Sequence, residues 1–171
     1  MTKRILAVAL VVMTFSSNGI AQSKDAIVGT WRLVSSTYTS NKGEVKNAYG
    51  PNPSGSITYT ADGRVMAIIT NDGRKPLSVA DYISAPAEER AEAFATLVAY
   101  AGRFAVTGDK VIHHIEIAWL QNYVSTDLVR SIVKLDDNRL ILRTPPVLRG
   151  GIQWAYQEAV WERVKPQTPG R

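Results

Sequence analysis

From Ile27 to Val164 the sequence is cut into short β-prone runs by turn chemistry at close, even spacing, and that rhythm limits the fold more than any single motif. Ile27 to Thr39 is rich in β-branched and aromatic residues and reads as a first strand. Asn41-Lys42-Gly43 turns it, and Gly50-Pro51-Asn52-Pro53-Ser54-Gly55 is a rigid loop. Ser56 to Thr60 and Arg64 to Thr70 flank Asp62-Gly63, a dipeptide suited to a two-residue hairpin because both positions accept positive φ. Gly102 to Thr107 and Val111 to Ala118 flank Gly108-Asp109, and Asp127 to Leu135 and Arg139 to Arg143 flank Asp137-Asn138. Thr144-Pro145-Pro146 breaks the pattern, and Ile152 to Val164 is the last strand. About eight strands at this spacing predict an all-β domain, either a sandwich or a closed antiparallel barrel.

One helix is inserted. Pro86 suits a first helical turn, Glu88, Glu89 and Glu92 suit the positive end of its dipole, and Gly102 is a stop signal. Ala87, Ala91, Phe94, Leu97, Val98 and Ala101 then share one face, which predicts a helix flanking the sheet.

The two ends have a different character. Lys3-Arg4, the apolar run Ile5–Met13 and the small residues Gly19 and Ala21 before a cut after Ala21 have the order of a secretory signal peptide over residues 1–21. The run is well short of the roughly 20 apolar residues of a spanning helix, so the expectation is a periplasmic or secreted protein with no stable membrane anchor after cleavage. The 171 residues less those 21 leave 150, of which 22–164 form one domain and 165–171 a flexible tail. Loss of Lys3 and Arg4 lowers the net charge from +5 to +3. The remaining basic residues are scattered singly, which argues against nucleic-acid binding. With no cysteine, the fold relies on its core, without disulfides, thiolate metal sites or cysteine nucleophiles.

Loop arithmetic predicts an inward face. A two-residue loop at Asp62-Gly63 sets Tyr59 beside Met66 and Ile57 beside Ile68. A loop at Gly108-Asp109 sets Phe104 beside His113 and Gly102 beside Ile115, with Arg103, His114 and Glu116 on the opposite, charged face. A one-residue slip would bury the charged set, so His113 is expected inside and His114 outside. His113 has three open roles: a satisfied core histidine, a ligand hydrogen-bond partner, or an acid/base. Trp119, Tyr123 and Trp154 are candidates for a pocket mouth. Arg130 is a candidate anion anchor, although Val129, Ser131, Val133 and Leu135 on the other face lean it outward.

Other motifs dissolve on inspection. His114-Ile115-Glu116 has the His-x-Glu spacing of zinc deaminases but no Pro-Cys-x-x-Cys partner. No His-Glu-x-x-His or Gly-x-Ser-x-Gly is present. The Gly50–Ser56 segment lacks the lysine of a phosphate loop, and its prolines delete N–H donors. No metal or cofactor is expected.

Gly29-Thr30-Trp31 on the first strand resembles the Gly-x-Trp of lipocalins, in which the tryptophan plugs the closed end of the barrel. Tyr49-Gly50-Pro51-Asn52-Pro53-Ser54-Gly55, Ile57-Thr58-Tyr59-Thr60-Ala61-Asp62-Gly63-Arg64-Val65-Met66, Tyr100-Ala101-Gly102-Arg103-Phe104, His113-His114 and Val160-Trp161-Glu162-Arg163 follow in order. Together they resemble the bacterial and fungal lipocalin-like domain family, from about Ile27 to Val164. The resemblance implies a calycin-type barrel, with Trp31 at its base and Arg163 packed on that indole. It leaves the activity open. The leading expectation is an exported barrel binding a small, largely apolar or amphipathic molecule, with Trp31, Tyr59, Met66, Phe104, His113, Trp119, Tyr123 and Arg130 as candidate ligand contacts. The alternatives are a cofactor-free isomerase or cyclase using His113, since some relatives are associated with small-molecule biosynthesis, and a filled barrel acting as an interaction module.

Overall fold

The computed structural model describes residues 24–165, so the signal-peptide reading and nearly all of the tail lie outside the described residues. A single helical turn, α1 (Lys24–Ile27), leads into β1 (Gly29–Thr39), followed by the short β2 (Val45–Asn47), β3 (Ser54–Tyr59) and β4 (Arg64–Thr70). Helix α2 (Ala87–Ala95) precedes β5 (Leu97–Thr107), β6 (Lys110–Ala118), β7 (Asp127–Leu135) and β8 (Arg139–Arg143). A small hairpin of β9 (Val147–Arg149) and β10 (Ile152–Trp154) stands apart, and β11 (Tyr156–Arg163) ends the sheet. Neighbouring strands run antiparallel in the order β11-β8-β7-β6-β5-β4-β3-β1, and β11 pairs back to β1, closing an eight-stranded barrel. Closure removes the exposed edges that an open sheet of this size would carry.

The closed end is built around Trp31. Its indole is fully buried and donates to the Ile27 carbonyl (2.9 Å), so the helical turn seals the base. The Arg163 guanidinium lies over the Trp31 ring at 3.9 Å and donates to the carbonyls of Val28, Ala26 and Asp137. This geometry also explains the glycine of Gly29-Thr30-Trp31. Gly29 has φ +133°, and a Cβ there would sit 2.6 Å from Arg163 Nη1. Only glycine takes that backbone conformation while leaving the arginine its place.

Three expectations are corrected. Helix α2 stops at Ala95, and Leu97–Ala101 belong to β5, where they pair with β4 from Thr70↔Leu97 through Met66↔Ala101. A sustained ladder outweighs an apolar spacing that merely permits a helix. The expected last strand from Ile152 is interrupted, with Ile152–Trp154 held by β9 and only Tyr156 onward in the barrel.

The third correction concerns Met66. The β3–β4 loop has three residues, because Thr60 and Arg64 pair through the Thr60 N–H (3.0 Å), and Gly63 takes φ +90°. Tyr59 therefore faces Val65, and Thr58 faces Met66. That one-residue difference turns Met66 and Ile68 outward, at 57% and 53% exposure, and puts Val65, Ala67 and Ile69 into the core.

Candidate functional site

The β5–β6 hairpin places the first polar group of the interior. Thr107 pairs with Lys110 across Gly108-Asp109, so Phe104 faces His113 on the inner side while His114 and Arg103 face out. His113 is 1% exposed. Both of its ring nitrogens are engaged: Tyr59 Oη lies 2.9 Å from Nε2 and Tyr100 Oη 3.1 Å from Nδ1. Phe104 packs edge-on against Tyr59 with ring centroids 4.9 Å apart. Burial, with smaller contributions from Arg130 and His114, pushes the His113 pKa down to about 3. Burial likewise raises Tyr100 to about 12 and Tyr59 well above its ordinary value. All three groups are thus neutral, hydrogen-bonded components of the barrel interior.

Neutral imidazole carries one donor and one acceptor, so one tyrosine donates to it and the other accepts. Tyr59 is 1% exposed and its hydroxyl has no second partner among the described residues. If Tyr59 accepted from Nε2–H, its own O–H would be buried unpaired, a cost of about 1–3 kcal/mol. The satisfied arrangement has Tyr59 donating to Nε2 and His113 donating from Nδ1–H to Tyr100, an assignment made from hydrogen-bond balance. The Tyr100 O–H is then free to donate elsewhere.

Beside this knot, with His113 and Tyr100 in its wall, lies an interior cavity of about 80 Å³. Tyr100, His113, Arg130, Tyr49, Gln157 and Trp161 line it together with Ile57, Ile69, Val98, Leu128 and Leu142. Gln157 ties one wall together by donating to Ser36 (3.0 Å) and to the Tyr49 hydroxyl (3.1 Å). The cavity adjoins a wider mouth pocket of about 490 Å³, the two sharing Tyr49, Val98 and Arg149. Phe94, Trp119, Leu120, Ile152 and Trp154 line the mouth, where Trp154 stacks on Tyr38 (5.3 Å) and Trp119 meets Tyr123 edge-on (5.2 Å).

The sequence candidates are therefore divided. Tyr59, Phe104 and His113 come together, Tyr123 and Arg130 line the cavity, and Trp119 stands at the mouth. Trp31 seals the base and does not border either pocket, and Met66 is on the outer surface. Arg130 corrects the outward lean expected for it. It pairs with Val111, whose side chain is fully buried, so Leu128, Arg130 and Ile132 form the inner row of β7. A bulge between Ile132 and Lys134 then brings Leu135 back inward to Leu140. Counting apolar residues on each face gave the wrong phase because the bulge breaks the alternation.

Tyr100, Tyr49, Arg149, Gln157 and Trp161 were not among the sequence candidates. Tyr100 falls within the segment expected to be helical, although Leu97-Val98-Ala99-Tyr100 also reads as a β-branched and aromatic run. Among the described residues, no group of three or more His, Asp or Glu side chains is placed to hold a metal ion.

The family model for the lipocalin-like domain matches residues 28–164. The chain belongs to the lipocalin-like domain family. Its barrel is accordingly a ligand-binding barrel in the general sense of that family. No curated protein matches the chain. Among solved structures, an uncharacterized protein from Bacteroides eggerthii is similar at 13% identity, covering 81% of this chain and 99% of that one with a TM-score of 0.43. A redesigned β-barrel is similar at 9% identity over 85% of this chain and 98% of that one, with a TM-score of 0.40.

Proposed function

We propose that this is an exported binding protein that takes a small amphipathic molecule into its barrel from the open end. The observation that carries the reading is a pair of spaces that share lining residues: about 80 Å³ of interior with apolar walls and a few polar groups, and about 490 Å³ of aromatic-lined mouth. Binding sites for small molecules combine apolar walls with a few fixed polar groups, and their usual volume is a few hundred Å³. The inner space alone is too small for such a ligand; the two together are not. Export rests on the basic segment, the apolar run and the small residues that precede Gln22. The resulting compartment is the periplasm or the exterior.

An acid/base role for His113 gains nothing from this geometry. A histidine with both nitrogens bonded to tyrosines and a pKa near 3 is poorly matched to proton transfer near neutral pH. The filled-barrel reading sits badly with an interior space that contains an arginine. Titration of the purified protein with the neutral dye N-phenyl-1-naphthylamine tests the proposal. Saturable binding that Trp119→Ala and Leu120→Gln at the mouth both weaken is the expected result. An unchanged dye signal with native protein, together with no small molecule on native mass spectrometry, would refute it.

A further inference from the structure

We infer that the ligand of this cup is an amphipathic monoanion, bound with its carboxylate inward on Arg130 and the Tyr100 hydroxyl and its tail in the mouth pocket. The inference rests on the small-molecule reading given above and adds the ligand's charge, its chemical class and its orientation.

Arg130 brings a positive charge to the cavity that no carboxylate on its wall matches. Arg130 is half-buried, and its hydrogen bond among the described residues is from Nη1 to the Val129 carbonyl (2.8 Å). The guanidinium carries five N–H donors, yet the residues lining the cavity include neither Asp nor Glu. On β7 itself, Asp127 pairs with His114 (2.6 Å) and borders a surface pocket that Arg130 and Arg149 also line, and the other nearby acidic residues are committed on the outer surface. Glu116 pairs with Arg64 and Arg103, Glu158 with Arg143, and Glu162 with Arg32. Arg149, at the junction of cavity and mouth, donates to the Tyr38 hydroxyl (3.2 Å) and forms no ion pair among the described residues. The partly buried Arg130 guanidinium keeps unused donors facing the cavity, and an incoming anion would gain charge-assisted hydrogen bonds from them.

The unused hydrogen-bonding groups on the cavity wall are donors. The hydrogen-bond balance around His113 leaves the Tyr100 O–H as a spare donor on the cavity wall. Arg130 and Tyr100 both offer protons to the cavity. A carboxylate accepts only, whereas an ammonium would bring more donors to a site already rich in them. The small inner space admits a head group, and the aromatic mouth suits the apolar remainder.

Octanoate and 1-octanol share a chain and differ at the head, so isothermal titration with each, alongside the neutral dye, separates the claims. Wild-type protein should bind octanoate at least about tenfold more tightly than octanol, as expected for a charge-assisted contact. Arg130→Gln should remove that preference by weakening octanoate while leaving octanol unchanged, and Tyr100→Phe should reduce it about threefold to tenfold. Equal affinities in the wild type, or equal loss of both ligands in Arg130→Gln, would overturn the anion assignment while dye binding left the cup itself standing. Failure of dye, octanol and octanoate alike would overturn both. Tyr100→Phe removes one oxygen only, so it keeps the test decisive if Arg130→Gln does not fold.

Discussion

The buried histidine makes the barrel's stability depend on pH in a window of its own. His113 has a native pKa of about 3 against 6.5 for the unperturbed side chain, so the unfolded chain binds a proton that the native chain refuses. Stability is then complete above about pH 6.5 and falls as the pH drops below it, a fall that ends only near the native value. Between about pH 7 and about pH 5 the loss works out to roughly 2 kcal/mol, since the native imidazole stays unprotonated throughout while the unfolded one becomes almost fully charged. Carboxylates such as Glu116 and Asp136, whose pKa values are lowered by their hydrogen-bond donors, lose their contribution at lower pH and do not share this window. Urea unfolding followed by tryptophan fluorescence at the two pH values measures the effect. His113→Gln supplies the control, because an amide offers one donor and one acceptor to the two tyrosines but does not titrate; His114 is present in both proteins and cancels. The wild type should lose about 2 kcal/mol more than the variant on acidification. Parallel declines, agreeing within about 0.5 kcal/mol, would refute the view of His113 as a dry, neutral hub.

Other outcomes follow from the packing. Gly102→Ala should destabilise by about 3 kcal/mol or more in thermal or urea unfolding, because its Cβ would stand 1.9 Å from the His114 carbonyl oxygen. Arg163→Lys should cost about 1–3 kcal/mol in the same assay, since lysine cannot reproduce both the contact over Trp31 and the fork to three carbonyls. Met66→Gln should change stability by no more than about 0.5 kcal/mol; a loss of several kcal/mol would mean that β4 faces the other way.

What could be read directly from the sequence was the part fixed by local chemistry. The Gly108-Asp109 loop specifies a tight hairpin, so the pairing of Phe104 with His113 and the burial of that histidine follow from counting residues. The alternation of the β-prone runs and the chemistry between them likewise predict a barrel or sandwich of about eight strands, and the resemblance at Gly29-Thr30-Trp31 points to Arg163 over the plug. The miss at Met66 has a local cause. At Asp62-Gly63 a two-residue and a three-residue loop are both compatible with the dipeptide, and the choice sends Met66 to opposite sides of the sheet.

The sequence by itself determined the rhythm of the strands and the register of the Gly108-Asp109 hairpin, because turn chemistry and β-propensity act over a few residues, and the sealed end was implied by the resemblance at Gly29-Thr30-Trp31. The tertiary structure decided which side chains meet in the interior. β6 and β7 are joined through Trp119–Thr126 and not by a tight turn, so no loop length sets their register. Packing across the closed barrel and the bulge after Ile132 turn Arg130 inward, and pairing with β4 draws Tyr100 out of the helical pattern and onto His113. Tyr100 and Arg130 are the residues through which we assign the ligand its charge, and their placement belongs to the assembled sheet rather than to any segment of it.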